Sequence, residues 1–305
     1  MTSKQSDILI ETYERWREQL NADPHNSLAI IRDGNERLGD LTSEPGGVDF
    51  LEEDCAAVPA MWSIPKKARH DTVIICCHGG GHVGGSMYSQ RKLFGHLAKR
   101  VGCRALTVNY RLAPEHGYPA DIEDIAAVHR WLRDAGIDPK RIAFAGDSAG
   151  GAIALAAQLL AKEQGQPVGA ATLLMSPWLD MEGSGASMEA KRGIDRLVTQ
   201  EVVLGAAHLY LGDAVDRKHP WASPIYGDYT GFGPIYVQAG GDEAMLDDGV
   251  RLCERARLAG VDSQIDIFPA MQHSFHIMAG SAPEADEALD KAASWLRAKL
   301  ALASA

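Results

Sequence analysis

From residue 71 onward, short apolar or β-branched runs alternate with longer stretches patterned for helix, and no other feature of the sequence constrains the fold as strongly. The short runs are 72–77, 105–109, 141–145, 171–175, 235–239 and 264–268. Between and after them lie 91–101, 122–135, 150–163, 247–259 and 284–302, each rich in Ala, Leu, Arg or Glu at helical spacing. A strand feeding a helix that returns to another strand is a parallel crossover, so the expectation is one doubly wound α/β sheet. Its 305 residues suit a single domain of that class, and an apolar share of 46% is enough to bury a sizeable core.

Two segments break the alternation. Near the N-terminus, Ile10, Tyr13, Arg17 and Leu20 recur at three- and four-residue steps, which predicts an amphipathic helix over residues 6–20. Pro24, Gly34, Gly39 and Pro45 then punctuate the pattern, so residues 1–45 are expected to form a helical cap segment. Residues 181–221 are too long for a simple crossover, carry Gly183, Gly185 and Gly193, and include a helical stretch over 199–211. They are expected to form a second cap segment, leaving residues 46–180 and 222–305 as the core.

A net charge of −11, from 41 acidic and 30 basic side chains, argues against nucleic-acid or anionic-membrane partners. The five cysteines, Cys55, Cys76, Cys77, Cys103 and Cys253, lack CxxC spacing, which suggests a reducing compartment. The first twenty residues carry charges throughout their apolar stretch, unlike a secretory signal, and no segment is apolar for long enough to span a membrane. A cytoplasmic location is expected.

Chemistry concentrates at two glycine-rich corners. Residues 141–146 end an expected strand and residues 150–160 begin an expected helix, which puts Ser148 of Gly146-Asp-Ser-Ala-Gly150 at a strand-to-helix turn. Such a turn is so sharp that the serine takes a strained conformation and only small neighbours fit around it. It lifts Oγ off the sheet, and the helix start aims the Ala149 amide and the positive dipole end at the same place. A phosphate-binding loop would need Gly-Lys-Ser/Thr, which is absent. Asp147 is expected to hydrogen-bond within the turn.

The second corner follows the strand at 72–77, which runs into His78-Gly79-Gly80-Gly81-His82. Successive glycines let backbone N–H groups approach a tetrahedral intermediate, and Gly79 and Gly80 are the expected donors with Ala149. His78 and His82 are four apart, but that spacing serves a metal on a helix rather than through three glycines, so no metal site is expected. His78 should instead fix the loop by hydrogen bonds.

Together these motifs resemble the hormone-sensitive-lipase-like carboxylesterases, a bacterial esterase family with HGGG upstream of GDSAG. The resemblance also covers Tyr110-Arg-Leu-Ala-Pro-Glu-His116 and the C-terminal acid and histidine segments. It implies an α/β-hydrolase fold, with a mostly parallel doubly wound sheet under a helical cap. It further implies an ester as the small-molecule substrate, with a short or medium acyl chain, no cofactor, and a homodimer as a common assembly.

A serine hydroxyl needs a base, and the base needs an orienting carboxylate, arranged in this fold in the order Ser, acid, His. Of eleven histidines, His208, His219, His273 and His276 follow Ser148. His273, just after the last expected strand, lies in a His-x-Phe setting that resembles the family's G-x-x-H-x-F segment, with Ala270 in place of its glycine. His276 is the alternative. For the acid, laying the family's D-P-L-x-D-E-G ungapped on Asp247-Asp248-Gly249 puts Glu243, rather than its neighbour Asp242, on the catalytic position. Asp247 and Asp248 are then expected to cap and charge the next helix.

Arg111 and Glu115 are expected to be a structural pair, and Trp16, Tyr88, Tyr210 and Trp221 to line an acyl pocket or to pack in the core. The expected function is ester or lactone hydrolysis through an acyl-enzyme. A non-catalytic ligand-binding relative and an amidase are the alternatives. Plant hormone receptors that resemble these esterases lack the histidine, whereas Ser148 and His273 are both present here.

Overall fold

The computed structural model describes residues 3–302. The first two residues of the expected N-terminal cap segment and the last three of the expected core lie outside it. Eight strands form one sheet in the order β1-β2-β4-β3-β5-β6-β7-β8. They are β1 (Val48–Cys55), β2 (Val58–Pro65), β3 (Arg69–Cys77), β4 (Cys103–Val108), β5 (Ile142–Asp147), β6 (Ala171–Met175), β7 (Ile235–Gly240) and β8 (Ser263–Phe268). From β4 to β8 every neighbouring pair is parallel, as the alternation predicts, and the doubly wound α/β fold is confirmed.

The antiparallel pair β1 and β2 was not anticipated. Strand β1 exposes most of its residues and carries Asp49, Glu52, Glu53 and Asp54, while β2 contains Pro59 and ends in Pro65. Strand β1 is too acidic to read as an apolar run, and β2 is interrupted by its two prolines, a residue type that argues against a strand. Their two-residue turn puts Ala56 and Ala57 at φ 58° and 63°, a conformation usually signalled by Asn or Gly.

Helices α3 (Arg91–Val101), α4 (Ala120–Asp134), α5 (Ala149–Glu163), α8 (Leu246–Leu258) and α9 (Pro283–Lys299) cover the two faces. Strand alternation sorts the core. In β3, Ile74 and Cys76 pack with α3 and α9, while Val73, Ile75 and Cys77 pack with α4 and α5. All five cysteines are buried and unpaired.

Helices α1 (Lys4–Ala22) and α2 (Ser27–Leu38) precede the sheet, and α6 (Ala186–Ala190) and α7 (Gln200–Leu211) lie between β6 and β7. The buried residues of α1 are Leu9, Tyr13 and Trp16: Tyr13 lies on the expected face, while Leu9 and Trp16 take the places expected of Ile10 and Arg17. Among the described residues no helix is long and apolar enough to cross a membrane.

Candidate active site

The loops that carry the chemistry leave the same edge of the sheet because their strands are neighbours. Cys77 of β3 pairs with Gly146 of β5, so the glycine loop after β3 and the turn after β5 emerge side by side. Gly150 lies so close to the carbonyls of Cys77 and His78 that a Cβ there would collide with both. Ser148 has φ 52° and ψ −121°, outside the common regions for a non-glycine residue. Its amide donates to Met175 O at 2.9 Å, and its carbonyl accepts from Gly151 N and Trp178 N at 2.9 and 3.1 Å. Neighbouring backbone therefore holds the strained turn in place.

His273 arrives from the loop after β8, and Glu243 from the loop after β7. Ser148 Oγ lies 2.9 Å from His273 Nε2, and His273 Nδ1 lies 3.2 Å from Glu243 Oε2. Glu243 is fully buried and His273 nearly so. Asp242 points elsewhere, with Oδ1 3.4 Å from Lys191 Nζ. His276 is buried among aromatic rings and has no hydrogen bond to either ring nitrogen among the described residues; burial pushes its pKa down to about 3.

Burial by itself disfavours an imidazolium at His273. The hydrogen bond and charge of Glu243, with Asp195 and Asp147 behind it, outweigh that effect and hold the ring above the ordinary histidine value. Burial pushes the Glu243 carboxyl up, and its hydrogen bond with His273 opposes the push.

Asp195 is a part of this site that no sequence motif marks. It is fully buried. Oδ1 accepts from the Leu197 and Val198 amides and Oδ2 from the Ala244 amide, each at 2.8 Å, which fixes the backbone next to Glu243. The His273 loop is held as well: Gln272 accepts from Arg196 N at 2.8 Å and donates to Ile194 O at 3.2 Å. Ala270, in the position where the resembled segment has glycine, adopts φ 59°, which explains why a residue without Cβ suits that place.

The glycine loop requires a correction. The Gly79 N–H donates to Gln90 Oε1 at 3.1 Å, and Gln90 Nε2 donates to Asp147 at 2.9 Å, so the expected Gly79 donor is already committed. Gly80 and Gly81 line the cavity instead. Among the described residues the Gly80, Gly81 and Ala149 amides have no acceptor. Gly80, at φ 126°, passes so near the Gly84 carbonyl that a Cβ would collide with it. Tyr110, for which the sequence suggested no role, anchors the loop start: its hydroxyl donates to His78 O at 2.7 Å and its ring stacks on His78 at 4.2 Å. Burial pushes the His78 pKa down to about 4. His78 and His82 turn to different partners, and no group of three or more metal-ligating side chains assembles among the described residues.

Other expectations also change. Arg111 pairs with Asp124 at 2.8 Å and Glu115 with Arg32 at 2.5 Å, not with each other. Asp247 and Asp248 lie in the first turn of α8 but bond to the Ser187, Leu179 and Asp180 amides rather than capping their own helix. A cavity of about 640 Å³ opens on Ser148 and His273, with apolar walls from α1, α2, residues 197–198 and α7. Of the four aromatics singled out in the sequence, only Trp16 lines it. Tyr88 and Trp221 bond to Glu52 and Glu163, and Tyr210 is buried behind the glycine loop.

The family described as alpha/beta hydrolase fold matches residues 74–277, about two thirds of the chain. The chain belongs to the α/β-hydrolase family. Within it, an acetyl-hydrolase of Streptomyces hygroscopicus is 33% identical over 299 residues, covering 97% of each chain. An esterase of Acinetobacter venetianus is 35% identical over 226 residues, 74% of this chain and 75% of that one. A solved esterase of the bacterial hormone-sensitive lipase family superposes with a TM-score of 0.93 at 37% identity, over 98% of this chain and 99% of its own. This α/β-hydrolase is therefore a hormone-sensitive-lipase-like serine carboxylester hydrolase, and the strained turn, the glycine loop and the apolar cavity are the parts such an enzyme needs.

Proposed function

We propose that Ser148, His273 and Glu243 are the catalytic triad of this esterase, and that it cleaves neutral carboxylic esters of short or medium acyl chain, or the corresponding lactones. The reading rests on one observation: the Ser148–His273–Glu243 hydrogen-bond chain opens directly onto an apolar cavity. Ser148 Oγ attacks the ester carbonyl while His273 Nε2 takes its proton and Glu243 stabilises the resulting imidazolium. The carbonyl π electrons move onto oxygen, where the Gly80, Gly81 and Ala149 amides hold the charge. Collapse of that intermediate expels the alcohol, which takes the proton from His273 and leaves an acyl-serine. Water, deprotonated by His273, then releases the acid and regenerates Ser148.

The described parts of residues 1–45 and 181–221 serve as the cap over the described parts of a core of 46–180 and 222–305, because the cavity walls come from α1, α2 and α7. The apolar lining favours an acyl chain over a charged substrate, and a net charge of −11 disfavours nucleic acid. Five buried unpaired cysteines favour a cytoplasmic setting. Strand β8, at the sheet edge with Ile267 exposed, offers a surface for a homodimer.

The test is Ser148→Ala assayed with p-nitrophenyl acetate, butyrate and octanoate. Turnover should vanish while circular dichroism stays native. Full activity in a folded variant would refute the mechanism.

A further inference from the structure

We propose that Asp121, His82 and Tyr210 form a tether that seats the Gly80–Gly81 amides when α7 is docked, so the cap takes part in building the oxyanion site. The inference rests on the reading that these amides hold the oxyanion. His82 ends the glycine loop with φ 64°, a left-handed conformation that a Cβ disfavours. Its side chain supplies the compensation. Nδ1 lies 2.7 Å from Asp121 Oδ2 at the start of α4, and the ring stacks on Tyr210 of α7 with centroids 3.9 Å apart. Tyr210 closes the cluster by donating its hydroxyl to Asp121 Oδ1 at 2.7 Å.

All three residues are at most 3% exposed. The buried Asp121 carboxylate is fixed from two sides: His82 holds Oδ2, while Oδ1 accepts from Tyr210 and, at 2.9 Å, from the Ile122 amide, so removing the Tyr210 hydroxyl unties α7 from the carboxylate and leaves the Ile122 bond in place. The loop backbone is pinned on the same side, since His82 O accepts from Ala113 N at 2.9 Å. Gly80, Gly81 and Val83 face the cavity, while the His82 ring lies behind them, edge-on to Trp178 at 5.5 Å. None of the three side chains lines the cavity, so they are positioning residues. A shift of α7 would act on the glycine amides through His82, and small misplacements of such donors are expensive.

The experiment compares Tyr210→Phe, Asp121→Asn and the double variant with wild type, using p-nitrophenyl acetate and an alkyl trifluoromethyl ketone. The ketone adds Ser148 at its carbonyl, and the oxygen of the adduct occupies the oxyanion position. Tyr210→Phe should lower kcat by roughly tenfold with KM within about twofold, and weaken the ketone by the same factor as kcat. Asp121→Asn should lose more, and the double variant should lose no more than Asp121→Asn, because the groups act as one unit. Tyr210→Phe keeps the ring and its stacking, so it carries the test alone if Asp121→Asn does not fold. Unchanged kcat and ketone affinity in a folded Tyr210→Phe, or a loss confined to KM, would overturn the tether and leave the triad standing. A ketone that fails to inhibit wild type would overturn the triad reading, and the tether with it.

Discussion

The Tyr13 hydroxyl donates a 2.8 Å hydrogen bond to the backbone carbonyl of His273, across 260 residues of sequence. Tyr13 belongs to α1 and is fully buried. The N-terminal helix therefore reaches through the roof of the cavity to the residue that faces Ser148.

Tyr13→Phe keeps the ring and removes that bond, leaving a buried carbonyl short of a donor. We expect a loss of about 1 kcal/mol in stability and a kcat reduced several-fold with little change in KM. Thermal denaturation and steady-state kinetics on the same preparation check both numbers.

The identity of the acid is decided by paired amide substitutions. Glu243→Gln should lower kcat by on the order of 10³ to 10⁴, because it removes the charge that stabilises the His273 imidazolium. Asp242→Asn should stay within about threefold, since Asp242 faces Lys191 at 3.4 Å. A larger loss in Asp242→Asn would reassign the role.

The pH profile follows from the direction of the His273 shift. In the proposed triad His273 has to be neutral to accept the Ser148 proton, and neighbouring carboxylates raise its pKa by favouring the charged form. The acid limb of kcat/KM should therefore lie above the usual histidine value of about 6.5, with activity lost as pH falls through it. Asp195→Asn removes one of those charges and should move the limb to lower pH, which a pH series from 5 to 9 reads directly.

Acyl-chain preference depends on a glycine inside α2. A Cβ on Gly34 would meet three atoms of the Trp16 indole at 2.2 to 2.6 Å, so the bare backbone is what lets the ring lie flat against α2. Gly34→Ala should push the indole into the cavity and reduce turnover of octanoate far more than of acetate. Trp16→Ala should extend the range towards longer chains. Equal losses across all chain lengths in Gly34→Ala would refute the steric account.

Much of this architecture could be read from the residues because their chemistry leaves periodic traces. The parallel strands announce themselves as apolar runs, and Ser148 and His273 lie at strand ends in the order the fold requires. What escaped has no such trace. The β1–β2 hairpin turns on two alanines at positive φ and carries four acidic residues on β1. Asp195 accepts from the Leu197 and Val198 amides of its own loop and from the Ala244 amide on another, and that last contact, which ties it to the backbone next to Glu243, is one no local pattern encodes. Gly79 belongs to the same three-glycine run as the glycines that line the cavity, and the Gln90 side chain, eleven residues on, sets it apart.

The cavity walls come from α1, α2 and α7, so residues 13–38 and 197–209 act on one substrate although more than 150 positions separate them. For anyone reshaping this enzyme, a library confined to either stretch would explore half of a single variable. Combined libraries that pair positions across the two stretches are the economical way to retune what it accepts, because the sheet ends that carry the chemistry can be left untouched.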